Sequence, residues 1–222
     1  MSVCCSHKQE GCMKRSDYYE RRGLDRIIGI SDAVFAFSLT LLAIDLVVPD
    51  LQKQQDALLL QGLVDEYSRF LYFFLTFIIT AAYWSNHHRI FRFIVGYDGI
   101  LMRLNTFFLL FIIMMPFVTK LINEYGHIQL AVIIAAFGYA APGILLGFIW
   151  HYASRRYLHI NKDLPEDFVR LTRIKNYISP SIFLLSIPLS FIRPSFALYF
   201  WLFLFPAHII ADILFPDIIE DD

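Results

Sequence analysis

Charged residues are scarce in this chain of 222 residues: Asp, Glu, Lys and Arg make up 18% of it, whereas hydrophobic residues make up 57%. A soluble domain has roughly a quarter charged residues and about half apolar ones, so this balance indicates a membrane protein. The polar segments are short, which leaves no room for a large soluble domain. The net charge of −1 does not point to nucleic acid, and no nucleic-acid partner is expected.

Cysteine is nearly absent, and all three copies, Cys4, Cys5 and Cys12, lie in the polar N-terminal segment. They lack the paired spacing of zinc ligands, and no metal or other cofactor is expected. The alternatives are ordinary reduced thiols and acylation of Cys4 and Cys5 beside a basic stretch. The first 20 residues also lack an apolar segment of the signal-peptide type, so the first span is expected to direct its own insertion.

Apolar segments of about 20 residues, the length that crosses a bilayer, occur six times. They predict an all-α integral membrane protein with spans at residues 27–48, 67–86, 100–121, 128–152, 174–192 and 195–215. Prolines interrupt the last two spans, for which re-entrant or buried helices are the alternative. We predict a polar basic N-terminal tail (1–22), a six-helix transmembrane domain (23–216) and an acidic C-terminal tail (217–222).

Positive charge is distributed unevenly along the chain. Fifteen of the 19 Lys and Arg residues fall in the N-terminal tail, the second-to-third connection and the fourth-to-fifth connection. Lys and Arg accumulate in cytoplasmic loops, so this distribution predicts cytoplasmic N- and C-termini. We therefore expect a multi-pass protein of the cell membrane.

Polar side chains of three spans are predicted to meet at one membrane depth, near the cytoplasmic side. A carboxylate in a membrane helix is costly, so Asp32 in the first span needs a partner. The end of the second span and the start of the third supply indole, imidazole and amide groups at the same depth. The predicted hydrogen-bond network comprises Arg26, Ser31, Asp32, Trp84, His87, His88 and Asn105.

A stripe of residues also runs along the first span. At about 100° per residue, one face of this helix carries Ala33, Phe37, Thr40, Leu41 and Ile44. Asp32 lies about 140° from Phe37, so it faces neighbouring helices if the stripe faces a pore. On periodicity alone, ordinary helix packing is the better explanation of the stripe. Asp45 lies near the outer end, where we predict that it attracts cations.

Three segments carry a resemblance to a known family. They are RIIGISDAVFAFSLTLLAIDLVVP at residues 26–49, YWSNHHRIF at 83–91 and LNTFFLLFIIMMPFVTKLINEYG at 104–126. Together they resemble the transmembrane protein 175 potassium channels in their short single-repeat prokaryotic form. The first segment contains the family's Arg/Ser/Asp motif, with Ile30 where the family has Phe. Spans four to six resemble the family only in general character.

The resemblance implies a homotetrameric potassium channel that is not an enzyme, with the first helix of each subunit lining a central pore. It places Phe37 at the family's aliphatic constriction position and Thr40 at a hydroxyl position that contributes to potassium preference. Leu41 and Ile44 would continue the pore lining, and the polar network would join helices or subunits. The chain has no TVGYG-type filter, so the preference for permeant potassium over sodium is expected to be modest.

Two other classes of function remain open from the residues. A proton- or cation-coupled secondary transporter would use Asp32 with His87 or His88 as a relay. Its broken helices are not predicted, because the first span lacks Gly and Pro between Gly29 and Pro49. A membrane enzyme or cytochrome would need a second ligand, such as His151, for His87 or His88.

Overall fold

The regular structure of the chain is helical. The computed structural model describes residues 15–49, 56–155, 159–160 and 164–214, so the cysteine segment and the predicted C-terminal tail lie outside the described residues. Within these ranges the only β-type pairing is an isolated bridge between Ile94 and Ile160. The helices are α1 (Arg15–Leu42), α2 (Asp56–Asp65), α3 (Tyr67–Phe93), α4 (Gly99–Ile113), α5 (Met115–Tyr125), α6 (Gln129–Ser154), α7 (Glu166–Asn176), α8 (Ile178–Ser190), α9 (Pro194–Phe200) and α10 (Leu204–Leu214).

Helix α1 is a long helix with one buried face. It begins at Arg15, so residues 15–22 of the predicted tail are already helical, and a short 3₁₀ turn (Ala43–Asp45) continues it. Its buried residues follow each other at intervals of three, four or seven, which places them on one side of the helix: Leu24, Ser31, Phe35, Ser38 and Leu42. This face packs against α3, α4 and α5.

The predicted third span is built from two consecutive helices, α4 and α5. They meet at Met114, two residues before Pro116 in the first turn of α5. Proline has no N–H to donate to the carbonyl one turn earlier, which explains why the regular helix is interrupted there. Backbone hydrogen bonds from Met114 to Leu110 (3.2 Å) and from Val118 to Met114 (3.0 Å) keep the two parts in one path.

Helix α6 is central, and it packs against α4, α5 and α8. Trp150 on this helix is fully buried. Two glycines leave room for side chains of α8 and of the residue before it. A Cβ atom at Gly143 would lie 2.4 Å from Pro180 Cγ, and one at Gly147 would lie 2.6 Å from the Tyr177 ring. Such close contact through small residues is typical of helix packing in membranes.

The last two predicted spans form a helical hairpin. Helix α8 ends at Ser190, a turn follows, and α9, a 3₁₀ turn (Trp201–Phe203) and α10 return along it. Trp201 holds the two arms together, since its Nε1–H donates to Ser186 Oγ (2.9 Å) and its ring packs edge-on against Phe183.

Three described helical segments are long and apolar enough to cross a membrane: Arg22–Asp45, Gly99–Tyr125 and Gln129–Ser154. A fourth apolar segment, Pro194–Ile210, is shorter. These segments indicate a multi-pass membrane protein, and the count of six spans stays a prediction.

Candidate pore-lining helix and the network behind it

The face of α1 opposite its buried face is largely exposed. Phe37 is 59% exposed and Ile44 is 73% exposed, although both are large and apolar. Ala33 and Thr40 are exposed on the same side, and Leu41 is half-buried at its edge. The structure thus places all five residues of the predicted stripe on or beside one surface. We call this surface, defined by Ala33, Phe37, Thr40 and Ile44, the open face of α1.

Thr40 supplies the only hydroxyl of the open face. Its Oγ1–H donates to the Phe37 carbonyl at 2.8 Å. A hydroxyl has one proton and two lone pairs, so this bond leaves the oxygen lone pairs free to accept. Thr40 therefore presents a partial negative charge to whatever lies in front of the open face.

A chain of hydrogen bonds, each donor following the last in one direction, ends on the buried side of α1. An amide oxygen can only accept, so His87 donates from Nε2 to Asn105 Oδ1 (3.0 Å). Asn105 Nδ2 donates to Ser31 Oγ (3.1 Å), and Ser31 donates to the Ile27 carbonyl (2.9 Å). Ser31, His87 and Asn105 are all buried. The chain connects α3, α4 and α1, the three helices for which the sequence predicts a meeting of polar groups.

Aromatic rings fix the orientation of His87. Its imidazole stacks on Phe91 with ring centroids 4.1 Å apart and on Phe108 with centroids 5.3 Å apart. Within the described part of the chain, His87 Nδ1 is buried and has no hydrogen-bond partner. The histidine is therefore held as a neutral donor for Asn105.

Asp32 has a separate partner. Trp84 Nε1–H donates to Asp32 Oδ1 at 2.9 Å, which joins α3 to α1 a second time. Asp32 is half-buried and does not lie on the open face. The helical spacing predicted this orientation.

Two of the predicted network residues lie apart from it in the single chain. Arg26 is exposed and has no ion-pair or hydrogen-bond partner among the residues that the structure describes. It precedes Ser31 by five residues, which rotates it about 140° away from Ser31. His88 is also exposed, and its ring lies 6.0 Å from that of Trp84. Adjacent residues point about 100° apart, so only His87 reaches Asn105.

At the other end of α1, Asp45 has a cationic neighbour. Lys120 Nζ on α5 lies 3.8 Å from Asp45 Oδ1, and the lysine side chain is 58% exposed. An exposed pair of this length interacts weakly, but the ammonium group offsets part of the carboxylate's field.

Known proteins match the part of the chain that contains these elements. The family model for the endosomal/lysosomal potassium channel TMEM175 matches residues 26–116, which include most of α1 and all of α3 and α4. A crystal structure described as a lysosomal potassium-selective channel TMEM175 homologue from Chamaesiphon minutus matches with a TM-score of 0.69 and 25% identity. The match covers 86% of this chain and 96% of that chain. The predicted resemblance to the TMEM175 family is confirmed.

Curated relatives extend the likeness along the chain. A potassium channel of Chamaesiphon minutus is 29% identical, over 78% of this chain and 87% of the relative. A potassium channel of Streptomyces collinus is 26% identical, over 75% of this chain and 82% of the relative. One from a Chryseobacterium species is 27% identical, over 79% and 87%. The TMEM175 family and these relatives are ion channels and not enzymes, in agreement with the prediction that this chain is not an enzyme.

A second buried polar cluster was not predicted from the sequence. Thr119 Oγ1 donates to Thr76 Oγ1 (2.9 Å), and Thr76 Oγ1 lies 2.8 Å from the Tyr139 hydroxyl. Tyr83 adds a hydrogen bond to the Tyr139 carbonyl (2.7 Å). The cluster joins α3, α5 and α6. The sequence does not indicate this cluster, because the hydroxyl of an isolated threonine in an apolar helix can also bond to a carbonyl of its own helix.

The connection between α3 and α4 ties several elements together at one end of the bundle. Asp98 caps α4 by accepting from the N–H groups of Ile100 (3.0 Å) and Leu101 (2.8 Å). It also accepts from the Tyr152 hydroxyl and lies 3.5 Å from His159 Nε2. Burial acts to raise the pKa of Asp98, but the hydrogen bonds from the Leu101 N–H and the Tyr152 hydroxyl, together with the nearby His159 ring, outweigh it and lower the pKa to about 2. Asp98 is therefore ionised at neutral pH and holds the ends of α4 and α6 together.

Proposed function

We propose that the chain forms a homotetrameric potassium-selective channel in the cell membrane, with six spans per subunit and cytoplasmic termini. The observation that carries the proposal is the open face of α1, which exposes Phe37 and Ile44 beside a hydroxyl. One helix cannot enclose a pore, so four copies of α1 would surround it. The potassium channels named among the relatives support potassium as the permeant ion.

Phe37 forms the constriction in this proposal. Four phenyl rings at one level would narrow the pore and present no hydrogen-bonding group to water. A narrow apolar segment of this kind resists wetting and so limits ion flow. Leu41 and Ile44 continue the apolar lining toward the outer end.

The buried network and Asp32 hold α1 in place in this proposal and do not conduct ions. Ser31 and Asp32 each bond to another helix of the same subunit, which fixes the rotation of α1 and therefore the direction of its open face. Arg26 and His88, exposed in the single chain, are proposed to complete the network across the contact with a neighbouring subunit.

Planar-bilayer recording of the purified protein tests the function itself. With potassium on one side and sodium on the other, we expect unitary currents whose reversal potential shows a modest preference for potassium. Saturable flux without unitary currents would contradict the proposal and would favour the transporter that uses Asp32 and His87.

Replacing Thr40 with valine is expected to reduce the preference for potassium over sodium without closing the pore. Valine keeps the shape of threonine but removes the oxygen lone pairs that the open face presents. The measurement is the reversal potential in mixed potassium and sodium. Thr106→Val removes another exposed hydroxyl that bonds to its own helix (to the Met102 carbonyl, 2.9 Å) and serves as the control. A reversal potential that is unchanged in Thr40→Val would exclude this role for Thr40.

Replacing Lys120 with glutamine is expected to raise the unitary potassium current at low salt, because it frees the carboxylate of Asp45 to attract cations. We expect a rise of up to about twofold at about 10 mM KCl, where the Debye length is about 30 Å, and none at about 1 M, where it is about 3 Å. An equal change at both concentrations would contradict the electrostatic explanation. Lys120→Gln combined with Asp45→Asn is the control, in which the rise should disappear.

A further inference from the structure

A cavity of about 340 Å³ lies where α6 ends and α7 begins, away from the open face of α1. Its described lining is almost entirely polar and consists of Ser154, Glu166, Asp167, Val169, Arg170 and Arg173. The volume is within the range of small-ligand sites. Two carboxylates and two guanidinium groups therefore surround one space.

These four charges do not neutralise each other by direct contact. Glu166 and Arg170 are one helical turn apart, a spacing at which opposite charges commonly pair. Nevertheless, none of Glu166, Asp167, Arg170 and Arg173 has an ion-pair or hydrogen-bond partner among the described residues. Arg173 Nε is moreover buried without an acceptor in that part of the chain. A buried donor without an acceptor is costly, so the site is suited to a ligand that brings an oxyanion.

We propose that this cavity binds the headgroup of a phospholipid that carries both a phosphate and a primary ammonium, as phosphatidylethanolamine does. The phosphate oxygens would accept from Arg170 and Arg173. The ammonium group would donate to Glu166 and Asp167, which a purely anionic headgroup would leave unpaired. Among the described lining residues, the equal number of positive and negative side chains favours a zwitterion over a free anion.

The surroundings of the cavity favour a lipid over a soluble molecule. The cavity adjoins the end of α6, which is long and apolar enough to cross a membrane. Only Tyr177, in a helical conformation, separates α7 from α8. Along this path Ile174, one turn beyond Arg170, is 45% exposed, and Leu185 is 62% exposed. Ile174, the half-buried Ile178 and Leu185 are spaced four and seven residues apart, so they form one apolar stripe. An acyl chain can lie along this stripe, below the charged groups.

Native mass spectrometry of the full-length protein, delipidated in detergent, tests the proposal. Phosphatidylethanolamine, phosphatidylcholine and phosphatidylglycerol with identical acyl chains are added in turn. We expect the ethanolamine lipid to bind about tenfold more tightly than the choline lipid, since a trimethylated nitrogen has no N–H to donate to the carboxylates. The double variant Arg170→Gln/Arg173→Gln should lose at least about tenfold in affinity for the ethanolamine and glycerol lipids alike.

Two further variants separate the roles of the charges. Glu166→Gln/Asp167→Asn should weaken the binding of phosphatidylethanolamine and leave the binding of phosphatidylglycerol unchanged. Arg92→Gln, which removes an exposed arginine at the same end of the bundle, should change neither. Equal binding of all three lipids, or wild-type binding in both double variants, would overturn the proposal. Displacement of the lipid by equimolar soluble phosphoethanolamine would overturn the lipid assignment in favour of a free ligand. The bilayer currents of the same variants report on the channel independently.

Discussion

Replacing Phe37 with alanine is expected to raise the unitary potassium current several-fold. In the proposed tetramer this change removes four phenyl rings from one level of the pore and lets water occupy the space. A fivefold rise would correspond to a barrier to ion passage that is lower by about 1 kcal/mol. Single-channel recording in symmetrical potassium measures the effect. Phe37 is 59% exposed in the single chain, so its truncation should leave the subunit fold intact.

The matched control is Phe137→Ala. Phe137 lies on α6 and is 55% exposed, so the same atoms are removed from a face that is not proposed to line the pore. Its current should equal that of the wild type. A current that is unchanged or smaller in Phe37→Ala would show that the constriction lies elsewhere on α1.

Replacing Asn105 with leucine is expected to destabilise the protein by roughly 2–4 kcal/mol, because His87 Nε2 loses its acceptor and Ser31 loses its donor in a buried site. For a chain of about this length, that corresponds to a fall of roughly 5–15 °C in the midpoint of thermal unfolding. The measurement is thermal unfolding of the purified protein in detergent. Thr106→Val alters the exposed neighbour on the same helix and should shift the midpoint little.

A second substitution distinguishes loss of hydrogen bonds from misfit of leucine. In the double variant Asn105→Leu/His87→Phe, both partners of the broken bond are apolar, and the new ring can stack between Phe91 and Phe108. Replacing both members of a hydrogen-bonded pair is far less costly than replacing one. The double variant should therefore unfold at a higher temperature than Asn105→Leu. If it unfolds at a lower temperature, packing at residue 105 and not hydrogen bonding explains the loss.

The placement of the polar groups could be predicted because it follows from helix geometry. Residues near one end of antiparallel spans share a depth, and this was sufficient to bring Ser31, His87 and Asn105 together. The sequence does not show which of His87 and His88 bonds to Asn105, because this depends on how α3 is rotated relative to its neighbouring helices. That rotation is set by the packing of rings such as Phe91 and Phe108 around the imidazole.

Other features depend on contacts that a single sequence does not show. Pro116 is visible in the sequence, but the interruption at Met114 is one of several ways in which a membrane helix accommodates proline. The cluster of Thr76, Thr119 and Tyr139 joins residues far apart in the chain with no motif between them. The cavity beside α7 depends on how the end of α6 meets a connection that the sequence marks only as polar.

The buried and exposed sides of α1 have no residue in common, so each side can change in evolution without the other. Side chains at 31, 35, 38 and 42 are committed to the interior of one subunit, while those at 33, 37, 40 and 44 contribute little to it. Mutations on the exposed side are therefore expected to change the folding free energy of the isolated subunit very little. Descendants of one ancestral chain can then explore different ionic preferences while inheriting the same scaffold, so variation among relatives should concentrate on that side of the helix.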